Sequence, residues 1–364
     1  MANKLVAHMR LPQPISNLLA ARNIQTAKDA LSIPEFDLMT LLGVDIEDVR
    51  DALARISKVA SPPYQTALSL LEERLINDAS SGRLPTFLKG LDAVLGGGIP
   101  FGVLTELVGP SGIGKTQFCL KLSLIAALPM SYGGLDGRVV YIDTESKFSS
   151  RRMIEMGRNS FPEIFYSEGM AQEMAGRIIV LHLTSLSEIT ESLQQMKLRF
   201  LQHEVKLLII DSMAAFVSGD NERSGSMSRD HLLNCPFSFL KSIAEFSCIP
   251  IVVTNQVRGH NNDGTSQYSF LGKDTDNNSE KFMNQVPALG IQWAHAVTIR
   301  LIFEAHSGQK FIKVAKSPIS PPLAFPFTVC SSGIALLSDD GIEMLGQEIN
   351  VIRSQGFFSI FDAS

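Results

Sequence analysis

Cysteine is scarce in this chain, with 4 among 364 residues. Cys119, Cys235, Cys248 and Cys330 show no paired-ligand spacing, which excludes a local zinc motif and leaves only long-range convergence as a route to one. They read as reduced, structural thiols of an intracellular protein. Basic charge is also short: 32 Lys and Arg stand against 37 Asp and Glu, a formal net charge of −5. A protein that coats nucleic acid electrostatically needs cations in excess, so any such contact must come from local patches. No apolar run reaches the length of a membrane span, and Met1–Arg10 lacks the apolar core of a signal peptide. No internal repeat is evident. What is present, 45% hydrophobic and 19% charged residues, suffices for a sizeable core, and the length suits one large domain plus a small one.

Residues 109–116 read Gly-Pro-Ser-Gly-Ile-Gly-Lys-Thr, a complete phosphate-binding P-loop. Gly109, Gly112 and Gly114 let the backbone curl until several N–H groups face inward, where a Cβ would clash. Pro110, Ser111 and Ile113 complete the cradle. Lys115 reaches the β/γ-phosphates and the Thr116 hydroxyl suits Mg²⁺. Val103–Val108 reads as the strand before the loop and Gln117–Leu128 as the helix after it, whose N-terminus adds partial positive charge.

Two regions separate by pattern. Residues 11–57 show helical spacing (Ile15, Leu18, Leu19; Val49, Leu53, Ile56) broken at Asn23, Pro34 and Gly43. Residues 1–60 are therefore expected to form a small helical domain, by default a docking or packing module. Its turns, Arg22-Asn23-Ile24 and Leu42-Gly43-Val44, also suit paired helices of the helix-hairpin-helix kind, which can hold a DNA phosphate through main-chain N–H groups. Lys and Arg do not outnumber Asp and Glu there, which weighs against DNA contact. Ser61-Pro62-Pro63 opens a linker expected over 61–84. The core, 85–364, alternates strands near 103–108, 138–142, 177–182, 206–210 and 249–254 with helices near 115–128, 187–202 and 231–246. This predicts a mostly parallel α/β sheet with helices on both faces. Strands at 296–304, 310–315 and 323–329, with a hairpin turn at Ser307-Gly308, predict an antiparallel finish.

Three strand ends supply the rest of the nucleotide site. Leu207-Leu-Ile-Ile-Asp211 places a carboxylate where the Mg²⁺ shell is held in P-loop folds. Tyr141-Ile-Asp-Thr-Glu145 places Glu145 to orient a water attacking the γ-phosphate; the alternative is that Asp143 and Glu145 cap the following helix. Pro250-Ile-Val-Val-Thr-Asn-Gln256 ends in an amide able to read the γ-phosphate. A long stretch rich in Asn, Gly, Ser and Asp, 258–290, follows it and reads as a functional or mobile loop.

These motifs together resemble the RecA/RadA recombinase family. Leu88-Lys-Gly-Leu-Asp92, Leu95-Gly-Gly-Gly-Ile99, Gly102 and Leu104-Thr-Glu106 match the entry to its core. Gly114-Lys-Thr-Gln117, Tyr141–Glu145 and Thr254-Asn-Gln256 continue the likeness over nearly the whole chain. Within the family the chain is most similar to the eukaryotic paralogues of the B type, through Gly109–Cys119, Leu128-Pro-Met-Ser-Tyr-Gly-Gly134 and Ala315-Lys-Ser-Pro318. The resemblance implies a RecA-like core with a helix-hairpin-helix-like N-terminal domain, and ATP with Mg²⁺ held between protomers. It makes Glu145 the activator of water, Gln256 the γ-phosphate reader, Gln117 part of the cofactor-binding set and Arg152 the residue that stacks on adenine. The family's first arginine in the Arg152 segment is missing, because the chain reads Phe148-Ser-Ser-Arg-Arg152.

Two departures bear on mechanism. Where family recombinases carry an aspartate before Ser-Pro, this chain has Lys316, closer to the bacterial pattern in which a lysine reaches the neighbour's γ-phosphate. The first DNA-facing loop contains Arg223 and Arg229, but Ser224 and Asp230 occupy the positions of the family's loop arginines. The second contains Arg258, Lys273 and Lys281 against Asp263, Asp274, Asp276 and Glu280, with no net positive charge. Tyr268 and Phe270 are able to stack on bases or pack inward. Single-stranded or branched DNA is therefore expected to bind weakly to the isolated chain. Tyr64-Gln-Thr-Ala67 sits where recombinases carry an aromatic-x-x-Ala polymerisation motif that adds an edge strand to an adjacent core.

The expected function is that of a nuclear recombinase-paralogue ATPase in homologous-recombination repair, although no basic cluster marks an import signal. Its expected partners are other paralogues, a C-type one first, with DNA as ligand and no membrane. The alternatives are a non-catalytic adaptor with ATP as cement at a subunit interface, and a stand-alone helicase or strand-exchange recombinase.

Overall fold

Asn23, Pro34 and Gly43 each mark a helix boundary in the structure, a computed structural model that describes residues 4–61, 65–69, 72, 82–196, 200, 205–213, 229–259, 285–287, 289–306 and 308–344. These fall into two units, Met1–Ser81 and Gly82–Ser364. In the first, α1 (Gln13–Ala21) stops before Asn23, which takes φ 59°. The next helix, α2 (Ala27–Leu31), starts from a reciprocal cap in which Thr26 Oγ1 accepts from Asp29 N and Asp29 Oδ2 accepts from Thr26 N. Pro34 precedes α3 (Glu35–Leu42), and Gly43 ends it in the left-handed region with its N–H on Met39 O. The last helix, α4 (Ile46–Ala60), buries Val49, Ala52, Ile56 and Ala60, the i, i+3, i+4 stripe of a core-facing helix. Leu18 and Leu53 pack only partly buried at the edge of this core.

The second unit begins with β1 (Arg83–Leu84), which pairs antiparallel with β2 (Ile99–Pro100) across α5 (Lys89–Val94). The linker expected to run to residue 84 thus gives its last two residues to this strand. Then come β3 (Leu104–Val108), α6 (Lys115–Ala127), β4 (Arg138–Asp143), α7 (Ser150–Ser160), α8 (Pro162–Phe165) and α9 (Met170–Gly176). They are followed by β5 (Ile178–His182), α10 (Leu186–Gln195), β6 (Val205–Asp211), α11 (Arg229–Ser247) and β7 (Ile251–Asn255). The rest comprises β8 (Val257–Gly259), β9 (Gln285–Pro287), α12 (Gly290–Ala296), β10 (Ile299–His306), β11 (Gln309–Lys316), β12 (Leu323–Cys330), β13 (Gly333–Leu336) and β14 (Ile342–Glu343).

The main sheet runs β13-β12-β11-β10-β3-β7-β6-β4-β5, with β14 on β12. The pairs from β10–β3 across to β4–β5 are parallel, and β10–β11, β11–β12, β12–β13 and β12–β14 are antiparallel. Gly308, at φ 80°, sits in the hairpin between β10 and β11. Side chains alternate between two cores, as the period of a strand demands. Val139, Tyr141, Leu207 and Ile209 pack toward Phe118 and Met156, while Val140, Ile142, Leu208 and Ile210 pack toward Phe237, Leu240 and Trp293. Central strands covered on both faces in this way read as continuous apolar runs.

The stretch expected as one long loop over 258–290 differs at its ends. Arg258 opposes Val286 and Gly259 opposes Gln285 in the β8–β9 pair, and Gly290 starts α12. The polar, glycine-rich composition hid these short strands because neither has an alternating apolar pattern.

Candidate functional site

The C-terminal ends of β3, β4, β6 and β7 lie side by side in the sheet. Parallel strands of an open sheet present their ligand crevice there. The loop leaving β3 bends at Gly112 (φ 76°) and Gly114 (φ 129°), a region that L side chains rarely adopt. A Cβ on Gly109 would collide with the carbonyl oxygen of Phe303 on β10. Pro110, Ser111 and Ile113 fill the turn between these glycines. Lys115 opens α6 and folds back, its Nζ donating to Gly109 O (2.6 Å) and Pro110 O (2.8 Å). Burial pulls its pKa down to about 8, against the attraction of Asp211.

Asp211, at the end of β6, accepts from Thr116 Oγ1 (2.8 Å), Tyr141 OH (2.8 Å) and Thr254 Oγ1 (2.5 Å). Three hydroxyls fix its two oxygens. The peptide from Asp211 to Ser212 is cis; Thr144 Oγ1 donates to Ser212 O and accepts from Ser212 N, both at 2.8 Å. Tyr141, Thr144 and Thr254 were not singled out from the sequence. Their signal was available, a hydroxyl interrupting an apolar strand just before a motif residue.

Asp143 caps a turn: its oxygens accept from the N–H groups of Glu145 (3.3 Å), Lys147 (3.0 Å) and Phe148 (2.8 Å). The helix that follows is capped instead by Ser149, whose Oγ accepts from Arg152 N (3.2 Å), and Glu145 faces Gln256. Gln256 Nε2 donates to Glu145 Oε1 at 3.4 Å, and Lys147 Nζ pairs with Glu145 Oε2. Burial pushes the Glu145 carboxyl up, but Lys147, Ser212 and Gln256 outweigh it and leave the pKa below its ordinary value.

Arg152 lies on α7 and bridges to the far edge. Its Nε donates to Gln117 Oε1 (2.9 Å), its guanidinium to Ser331 O (3.1 Å) and Cys330 O, and it pairs with Glu155 (2.9 Å). The arginine is thus fixed beside the N-terminal turn of α6, next to the P-loop. Lys316 ends β11, and its Nζ donates to Ala294 O (2.9 Å) and Val297 O (2.6 Å), so within this chain it closes the C-terminus of α12. Burial lowers its pKa, and Arg300 lowers it further.

A buried ion pair completes the region. Glu106 of β3 and Arg300 of β10 are 0% and 1% exposed and meet at 2.6 Å. Glu106 Oε1 also accepts from Asn255 Nδ2 and Trp293 Nε1, both at 2.7 Å. Opposite charges, each embedded in an apolar strand, were the sequence signal for this pair.

Among the DNA-loop residues, Arg223 and Lys273 lie outside the described residues, as does Tyr64. Arg229 opens α11 and Arg258 lies on β8. Residues 67–69 are helical and Ala67 is exposed, with Thr66 Oγ1 accepting from Ser69 N (3.1 Å).

A nucleotide with Mg²⁺ fits what is present. The loop has the curvature that only glycines permit, and the Thr116 hydroxyl with the Asp211 carboxylate forms a hard-oxygen pair suited to Mg²⁺.

The Rad51 family profile matches residues 82–337, and a profile for the XRCC3/RpoA-like helix-hairpin-helix domain matches 6–60. The chain is 62% identical over 360 residues to DNA repair protein RAD51 homolog 2 of Arabidopsis thaliana, covering 98% of this chain and 97% of that one. The human protein of the same name is 32% identical over 359 residues, covering 96% and 93%. RAD51 homolog 3 of Cricetulus griseus is 29% identical over 343 residues, covering 86% and 87%. A crystal structure of the RadB recombinase shares the fold, with TM-score 0.52 and 24% identity over 70% of this chain and all of that one. Members of this family are ATPases that use ATP and Mg²⁺. A parallel sheet with an antiparallel finish, a P-loop after β3, an N-terminal helix-hairpin-helix unit and this likeness to the B-type paralogues lead to one conclusion: the chain belongs to the Rad51 family.

Proposed function

We propose that the chain is an ATP-binding recombinase-paralogue subunit that acts in homologous-recombination repair of DNA, in the nucleus. It assembles with other paralogues, a C-type one first, and supports a recombinase filament. The observation that carries this reading is the meeting of Lys115, the Thr116–Asp211 pair and the Glu145–Gln256 pair at adjacent strand ends.

ATP binds with its phosphates along Gly109–Thr116. Lys115 exchanges the loop carbonyls for phosphate oxygens, a stronger, charge-assisted partnership. Thr116 and Asp211 hold Mg²⁺, which when bound neutralises charge on the phosphate oxygens. Glu145 orients the attacking water and Gln256 reads the γ-phosphate. Arg152, held by Gln117 and two carbonyls, offers its guanidinium plane to the adenine. Lys316 lies at the end of a strand, where exchanging the α12 carbonyls would let it reach a neighbouring subunit's nucleotide. Turnover is weak and DNA-stimulated. DNA binds through the loops that contain Arg223, Arg229, Arg258 and Lys273, without a surplus of positive charge. Tyr64 and Ala67 form the aromatic-x-x-Ala anchor for a neighbouring core. That role requires Ala67 to leave its helical turn and become extended.

A second reading has a specific observation in its favour. Lys147 neutralises Glu145, which weakens it as a base and suits an adaptor in which ATP only cements an interface. Co-purification with a C-type paralogue separates the two. On the proposed reading, Lys115→Ala abolishes the complex, whereas Glu145→Gln forms it but loses turnover stimulated by single-stranded DNA. A complex that needs Lys115 yet shows no Glu145-dependent turnover would establish the adaptor. Assembly indifferent to Lys115 would overturn both.

A further inference from the structure

Glu106 receives three donors from three separate elements: Asn255 at the end of β7, Trp293 in α12 and Arg300 in β10. A carboxylate only accepts, so Asn255 must present its NH₂ to Glu106 and its oxygen elsewhere. That oxygen accepts from the backbone N–H of Gln256 at 2.8 Å. The buried carboxylate therefore fixes the amide orientation of Asn255, and Asn255 fixes the start of the Gln256 turn. On the other side, Trp293 is fully buried, with its ring 4.7 Å from that of Phe237. The C-terminal turn of the same helix offers Ala294 O, and the residue that caps it offers Val297 O, to Lys316. One carboxylate thus stands between the amide that faces Glu145 and the ammonium at the end of β11.

We propose that Glu106 is a positioning residue that sets the Gln256 amide and the Lys316 ammonium together, through Asn255 on one side and Trp293 on the other. The proposal rests on the reading of Gln256 as the γ-phosphate sensor. It adds that the state of this chain's own nucleotide is felt at Lys316. Both oxygens of Glu106 are bonded, and a buried network joined through one carboxylate has few alternative arrangements, so a shift at one end is transmitted rather than absorbed.

Trp293 is the only tryptophan in the chain, so its fluorescence reports on the junction directly. The experiment titrates the full chain with Mg·AMP-PNP or Mg·ADP and reads Trp293 emission, with binding measured separately by calorimetry. AMP-PNP is expected to shift the emission and ADP to leave it unchanged. Gln256→Ala should abolish the shift, and so should Asn255→Ala, although the latter still binds AMP-PNP. A second variant, Trp293→Phe, replaces the indole with a smaller aromatic ring that has no donor, and should lower the preference for AMP-PNP over ADP by about threefold or more, equivalent to roughly 0.7 kcal/mol. AMP-PNP binding without an emission change, a change that persists in Asn255→Ala, or an unaltered preference in Trp293→Phe would overturn the positioning role alone. Absence of AMP-PNP binding to the wild-type chain would overturn the nucleotide reading and the positioning role with it.

Discussion

Glu145→Gln should leave Mg·ATP binding nearly unchanged and cut hydrolysis by about 10²- to 10⁴-fold, the usual contribution of a positioned general base. The substitution preserves side-chain volume and the contact with Gln256 Nε2, whose acceptor becomes an amide oxygen. What it removes is the charge that, on the proposed reading, orients water. Lys147, which pairs with Glu145 in the structure, then loses its partner at a half-exposed position, at little cost to the fold. Single-turnover measurements with radiolabelled ATP, on the chain alone and with single-stranded DNA, read the effect. Unchanged turnover in the variant would remove Glu145 from the reaction.

Arg300→Met is expected to damage the fold most. Glu106 would remain fully buried with two neutral donors and no cation. Removing one partner of a buried ion pair costs about 3–5 kcal/mol. In a chain of this size that lowers the thermal midpoint by about 4–7 °C. The double variant Arg300→Met/Glu106→Gln removes both charges and keeps an acceptor for Asn255 and Trp293, so it should recover at least half of the loss. Thermal denaturation of the three chains side by side checks this. A midpoint for Arg300→Met within about 1 °C of wild type, under 1 kcal/mol by the same scaling, would contradict the importance of the pair.

The parts of the fold set by local rules were legible. Gly112 and Gly114 announced a loop because their dihedrals exclude other residues. The strands β6 and β7 were readable from their aliphatic runs, Leu207–Ile210 and Ile251–Val253, buried on both faces, and β3 from its flanking Leu104, Leu107 and Val108. The ends of β8 and β9 were not, because three residues of polar or glycine-rich chain carry no periodicity. The same limit applies to the site. Asp211 and Glu145 stood out as carboxylates closing apolar strands, yet the hydroxyls that hold Asp211 come from three other elements. Glu106 and Arg300 are separated by 194 positions, and no local pattern links them. Lys316 illustrates the same point: the carbonyls it closes belong to a helix about 20 residues earlier, brought near by the sheet order alone.

The sequence also offered two readings of the Asp143–Glu145 turn, catalysis or capping. In the structure Asp143 accepts from three backbone N–H groups of the turn, and the helix after it is capped by Ser149 rather than by either carboxylate.

Calorimetric titration of the full chain with Mg·AMP-PNP, beside Lys115→Ala, tests nucleotide binding at the P-loop most directly. On the proposed reading Lys115 supplies charge-assisted bonds to the phosphates, worth about 1.5–3 kcal/mol each, so its loss should weaken binding by about 100-fold. Clear binding by the wild-type chain with that loss in the variant is the expected result; equal affinities, or no binding to the wild-type chain, would contradict it.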